Sequence, residues 1–142
     1  MTSDARLAAT AWSRFFDYIV RSGPVREASL NARGLTPNDS RALHALDSRE
    51  GRPLGALARA WGCDPSNVTF IVDRLERLGL CRRLADATDR RVRLALLTPK
   101  GVATRDALQR EFRTAPADFA ALPDADLKAL ARILAKLQPA PE

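Results

Sequence analysis

Between residues 53 and 101 the hydrophobic period changes once, and that change limits the folds open to the chain. Up to Gly79 the apolar residues recur at helical spacing. Residues 53–61 carry Leu54, Leu57, Ala58 and Trp61 on one face, and Gly62 stops the pattern. Asp64 then stands as a cap with Pro65 at the first helical position. Val68, Ile71, Val72, Leu75 and Leu78 form the buried stripe of a second helix, closed by Gly79. From Leu80 the spacing falls to that of a strand. Residues 81–84 and 92–97 read as two strands, the second with Val92, Leu94 and Leu96 alternating against Arg93, Ala95 and Leu97. The polar stretch 85–91 turns the chain between them. Two helices joined by a turn of about three residues and followed by a β-hairpin are the sequence form of a winged helix-turn-helix.

The flanking segments read as helices. Residues 5–22 place Leu7, Ala8, Ala11, Trp12, Phe15, Phe16, Ile19 and Val20 on one broad stripe. Gly23-Pro24 is expected to interrupt it, with a short helix resuming over 25–33. Thr36 as N-cap, Pro37 at the first position and Asp39 in the first turn open the next helix, which runs past Leu46 to end near residues 48–51. Thr98 caps a helix reaching about Arg113, and Pro116 breaks the pattern. Leu122-Pro123-Asp124 starts the last helix, where Leu127, Leu130, Ala131, Leu134 and Leu137 make a narrow seam. Residues 139–142 read as a frayed tail. The fold class is therefore mainly α with a small β-hairpin wing.

Several functional classes fall away. No run of about 18 apolar residues is present to make a membrane helix, and the first residues lack the basic and apolar regions of a signal peptide. The expected location is the cytoplasm. Cys63 and Cys81 are too few and too far apart for a zinc site and read as free thiols in a reducing compartment. With one histidine, no glycine-rich phosphate loop and no clustered carboxylates, the chain does not read as an enzyme, and no cofactor or metal is expected.

The position of the charge points elsewhere. Residues 51–100 hold ten basic and five acidic side chains, which is +5 of the net +6 of the whole chain. Such localisation is the footprint of a polyanion binder, although a solvated face can carry the same charge. On the second helix of the module, Ser66, Asn67, Thr69, Phe70, Arg74 and Arg77 lie outside the buried stripe. A recognition helix reads base edges with its N-terminal residues. Asn67 suits adenine, Thr69 a base or a thymine methyl, and Phe70 a thymine methyl. Arg74 and Arg77, further along, suit phosphates. At the hairpin tip Asp89-Arg90-Arg91 offers two guanidinium groups to a minor groove, with Asp89 expected to fix a neighbouring arginine through a salt bridge.

These residues resemble the MarR (multiple antibiotic resistance regulator) family of bacterial transcription factors. Four pieces carry the resemblance: Leu35-Thr36-Pro37 with Leu43 and Leu46; Leu54-x-x-Leu57-Ala58; Asp73-Arg74-Leu75-Glu76-Arg77-Leu78-Gly79-Leu80 followed by Arg82-Arg83; and Asp86-x-x-Asp89-Arg90-Arg91 through Leu97-Thr98-Pro99-Lys100-Gly101. It covers the chain from about Trp12 to Leu137. The resemblance implies a homodimer on pseudo-palindromic double-stranded DNA, usually a repressor. It divides the chain into a DNA-binding lobe at 35–101 and dimerisation helices at 1–34 and 102–142, together one intertwined domain. It also implies release by a small aromatic or phenolic effector, for which Trp12, Phe16 and His44 are the candidate contacts. Three departures stand out. Phe70 replaces the polar residue usual there, Cys81 replaces an aliphatic one, and no cysteine lies in the first helix, where the peroxide-sensing branch keeps its thiol. Two alternatives remain open: a winged helix that docks proteins, and a thiol-responsive regulator acting through Cys63 and Cys81.

Overall fold

The structure, a computed structural model, describes residues 2–137, so the tail expected at 139–142 lies outside the described residues. The elements follow in the order α1 (Ser3–Asn31), α2 (Pro37–Ala45), β1 (Arg52–Pro53), α3 (Leu54–Trp61), α4 (Pro65–Arg77), β2 (Cys81–Ala85), β3 (Arg93–Leu97), α5 (Pro99–Arg113), α6 (Ala117–Ala120) and α7 (Asp124–Ala135).

The break expected at Gly23-Pro24 does not occur, and α1 is one helix. Pro24 has no N–H to give the Val20 carbonyl, and its ring crowds the preceding turn. Side chains support that turn: the Ile19 carbonyl accepts from Ser22 Oγ at 3.0 Å and from Arg26 Nη2 at 3.3 Å. Helix α2 starts as the sequence indicates. Thr36 Oγ1 accepts the Asp39 N–H at 3.2 Å, and Asp39 Oδ2 accepts the Thr36 N–H at 2.8 Å, a reciprocal capping box. It stops at Ala45, short of the expected 48–51, because Leu46 is already extended.

Residues 52–53 form a third strand that the sequence pattern did not reveal. The sheet order is β1-β3-β2, all antiparallel, with Arg52 opposite Ala95 and Pro53 opposite Leu94. A proline cannot donate to a ladder, so Pro53 sits at the sheet edge and α3 begins one residue later than expected. The hairpin pairs Cys81 with Leu97 and Ala85 with Arg93. Both faces of β3 carry buried side chains. Ala95 and Leu97 enter the core, whereas Leu96 is buried on the other face, beside Gly51, where an added Cβ would come within 3.2 Å of it.

Leu43 of α2, Leu57 of α3, Val68, Val72 and Leu75 of α4, Leu97 of β3 and Leu108 of α5 are the enclosed centre of the core. One junction ties these elements together. Gly79, at φ 72°, turns the chain out of α4, and Thr98 Oγ1 donates to its carbonyl at 2.6 Å while accepting the Gly101 N–H at 3.0 Å. Outside this core, α1 buries only Leu30 and α7 buries nothing. Of the expected seam on the last helix, Leu127, Leu130 and Leu134 are half-buried, and Ala131 and Leu137 are exposed.

At Gly101 a Cβ would lie 1.9 Å from the Leu80 carbonyl oxygen, a backbone atom that cannot swing aside. Gly101→Ala should therefore destabilise the protein by at least the about 1–3 kcal/mol typical of overpacking. Exposed Gly55 within α3 has no such neighbour. Gly55→Ala should stabilise by about 0.5–1 kcal/mol, the difference in helix propensity. Urea unfolding midpoints of the two variants check the opposite signs.

Candidate nucleic-acid interface

Helix α4 buries Val68, Ile71, Val72 and Leu75 and leaves Ser66, Asn67, Thr69 and Phe70 exposed on its other side. These four expected readers are thus brought together on one free face. Phe70 is 62% exposed. The helix starts at Pro65 as expected, but the Asp64 side chain makes no capping bond. The Asp64 carbonyl takes the Asn67 N–H instead, at 3.0 Å.

The arginines divide by task. Arg74 does not stand out toward solvent as a phosphate ligand would. Its Nε donates to Asp39 Oδ2 at 2.9 Å and its Nη2 to the Gly34 carbonyl at 2.6 Å, which ties α4 to the connector between α1 and α2. Asp39 is only 1% exposed, so the pair compensates a carboxylate removed from water. Arg77 is exposed and forms no ion pair among the described residues.

Sequence reasoning missed the role of Arg83. From β2 it pairs with Asp73 at 2.6 Å, donates to Glu76 at 2.8 Å, and reaches the Thr69 carbonyl at 3.4 Å. Burial works against the charge of Arg83, but its bonds to Asp73 and Glu76 outweigh burial and push the guanidinium pKa up. The available signal was the spacing of the two acids, one helical turn apart on α4.

The wing tip is held by its own acids. The Asp86 carboxylate accepts the Thr88 N–H at 2.7 Å and the Thr88 hydroxyl at 2.8 Å, bonds that hold its pKa below the usual range. Among the described residues Asp89 forms no salt bridge with a neighbouring arginine, contrary to expectation. Its carboxylate accepts the Arg91 backbone N–H at 3.0 Å, fixing the turn rather than a side chain. Arg90 and Arg91 are left exposed, with no ion pair among the described residues.

The three effector candidates are not brought together. Trp12 and Phe16 are exposed on α1, their rings 6.4 Å apart. His44 donates from Nδ1 to the Ser40 carbonyl at 2.8 Å and lines a hollow of about 390 Å³ with Arg26, Arg41 and Phe112. A larger hollow of about 940 Å³ lies between α1 and α5–α7, lined by Phe15, Tyr18, Ile19 and Phe119. Neither hollow is lined by Trp12 or Phe16. Among the described residues no three His, Cys, Asp or Glu side chains converge as a metal requires, and no helix is long and apolar enough to cross a membrane.

The model of the MarR family matches residues 35–92. The HTH-type transcriptional regulator MhqR of Bacillus subtilis is 33% identical over 73 residues, 51% of this chain and 50% of the relative. The crystal structure of YusO from Bacillus subtilis superposes with a TM-score of 0.80 at 25% identity, covering 96% of this chain and 97% of that one. Over residues 35–92, and in its fold, the chain resembles the MarR family. Another of its similar structures is the transcriptional repressor CouR bound to a 23-mer DNA duplex, with a TM-score of 0.63 at 26% identity, covering 96% of this chain and 98% of that one. The matches span half to just under two thirds of the length of the similar regulators.

The position usually aliphatic in MarR proteins is Cys81 here, and it is buried, its Sγ 3.5 Å from the Val72 carbonyl. Burial first, then the Glu76 carboxylate, pushes this thiol up to about 11. Half-buried Cys63 is the accessible one. A thiol reagent at pH 7.5 should label Cys63 alone in the folded protein and both cysteines in denaturant, as read by mass spectrometry. Labelling of Cys81 first would contradict the packing.

Proposed function

We propose that this protein is a sequence-specific DNA-binding transcription regulator, a cytoplasmic repressor that acts as a homodimer on a pseudo-palindromic operator. One observation carries the reading: an exposed face of α4 stands beside a hairpin whose tip carries two guanidinium groups with no ion pair among the described residues. In this reading Ser66, Asn67, Thr69 and Phe70 meet base edges in the major groove, and Arg77 meets phosphate. Arg90 or Arg91 enters the flanking minor groove, on a tip set by Asp89. A protein-docking wing has little use for that tip. MhqR is named a transcriptional regulator and CouR was solved on a duplex, which supports the same assignment.

The lobe at 35–101 carries DNA contact, and 1–34 with 102–142 form the dimer. Support comes from the apolar surface left on α1 and α7, where Trp12 is 63%, Val25 63% and Ile133 50% exposed. Large apolar side chains left exposed on two helices suit a surface that a second copy covers. Any small aromatic or phenolic effector acts at the hollow beside His44, where Arg26 and Arg41 suit an acidic group.

Selection of bound sequences from a random duplex pool, at two salt concentrations, tests the reading. An inverted repeat with half-sites about one helical turn apart should be enriched. Asn67→Ala should change base preference at one position of each half-site, and Arg91→Ala should weaken binding about tenfold. No enrichment, with binding indifferent to salt, would favour a protein-docking module.

A further inference from the structure

We propose that Arg83 is a positioning residue that locks the wing to the recognition helix α4 and spends none of its charge on DNA. The assignment rests on the DNA-binding reading above. Arg83 sits in mid-strand, opposite Ala95, and its guanidinium turns back across α4. There it meets three successive points of one helix face: the Thr69 carbonyl, the Asp73 carboxylate and the Glu76 carboxylate. Its side chain is 22% exposed, against 50% for Asp73 and 44% for Glu76, so the arginine is the inner member of the cluster.

Two consequences follow from this geometry. The planar fork holds β2 at a fixed angle to α4 through two ion pairs at once, which a lysine ammonium cannot reproduce in the same directions. A fixed angle is what allows a helix in the major groove and a tip in the neighbouring minor groove to engage one register. The second consequence concerns charge. Asp73 and Glu76 lie on the helix that carries Thr69 and Phe70, where bare carboxylates would repel phosphates. Arg83 draws them toward the wing. Arg77, Arg90 and Arg91, which have no such partners among the described residues, remain for the polyanion.

Affinity for the selected operator and for an unrelated duplex of equal length, measured across a range of salt, tests the assignment. Arg83→Gln should lower the ratio of operator to unrelated affinity about tenfold while the slope of log affinity against log salt stays as in wild type. Arg83→Lys should not restore the ratio. The paired change Asp73→Asn with Glu76→Gln removes two negative charges near the DNA, yet it should also weaken operator binding. Thermal melts establish which variants fold. Should Arg83→Gln fail to fold, the paired variant decides by the sign of its effect. A salt slope reduced by about one unit in Arg83→Gln, with equal loss on both duplexes, would make Arg83 a phosphate contact and overturn the assignment. Tighter operator binding by the paired variant would overturn it as well. A wild-type protein that does not distinguish the two duplexes would instead overturn the DNA-binding reading on which the assignment rests.

Discussion

The close approach of Gly101 to the Leu80 carbonyl is the constraint on which the winged lobe depends. That carbonyl also accepts the Thr98 N–H at 3.1 Å, and Lys100 Nζ donates to the Leu78 carbonyl at 2.8 Å. The C-terminal end of α4 and the N-terminal end of α5 are thereby stitched together. The strands between them have to leave and return through the same few ångströms. The hairpin is consequently a closed loop on a fixed base, and its tip is positioned by the register of β2 against β3. Any side chain at position 101 would push the two helix ends apart and move both α4 and the wing.

On that base, one residue type performs three kinds of work. Arg74 faces inward and compensates the buried Asp39; Arg83 joins two elements; Arg77, Arg90 and Arg91 are exposed and form no ion pair among the described residues. A count of charge treats them alike, and the +5 of residues 51–100 overstates what is free to meet a polyanion. The same principle governs the acids. Asp86 and Asp89 shape the turn through backbone N–H groups rather than through arginine side chains. Short-range backbone bonds compete well with exposed ion pairs, which are worth little in water.

Features encoded by adjacent residues were legible in the sequence. Thr36, Pro37 and Asp39 specified the start of α2, Thr98 and Pro99 that of α5, and Gly62 and Gly79 the ends of α3 and α4. The exposed face of α4 followed from the helical period. What was not legible depended on partners distant in sequence or on irregular local support. Arg74 meets Asp39 across 35 positions, and nothing local marks that pairing. Strand β1 is two residues long and half proline, below any periodic signal. Helix α1 runs on through Pro24, with Ser22 and Arg26 both donating to the Ile19 carbonyl in the turn before it, contacts that a rule about Gly-Pro pairs does not weigh. Asp64 had the right identity and position for a side-chain cap, and the backbone carbonyl took the bond instead.

The central claim is that α4 and the wing act as one rigid reader, helix in the major groove and tip in the minor groove beside it. Chemical footprinting on the selected operator tests this most directly, with dimethyl sulfate probing guanine N7 in the major groove and adenine N3 in the minor groove. The account predicts two major-groove protections about one helical turn apart, each flanked on its outer side by minor-groove protection. Minor-groove protection alone, or major-groove protection that persists with no flanking minor-groove signal, would contradict it.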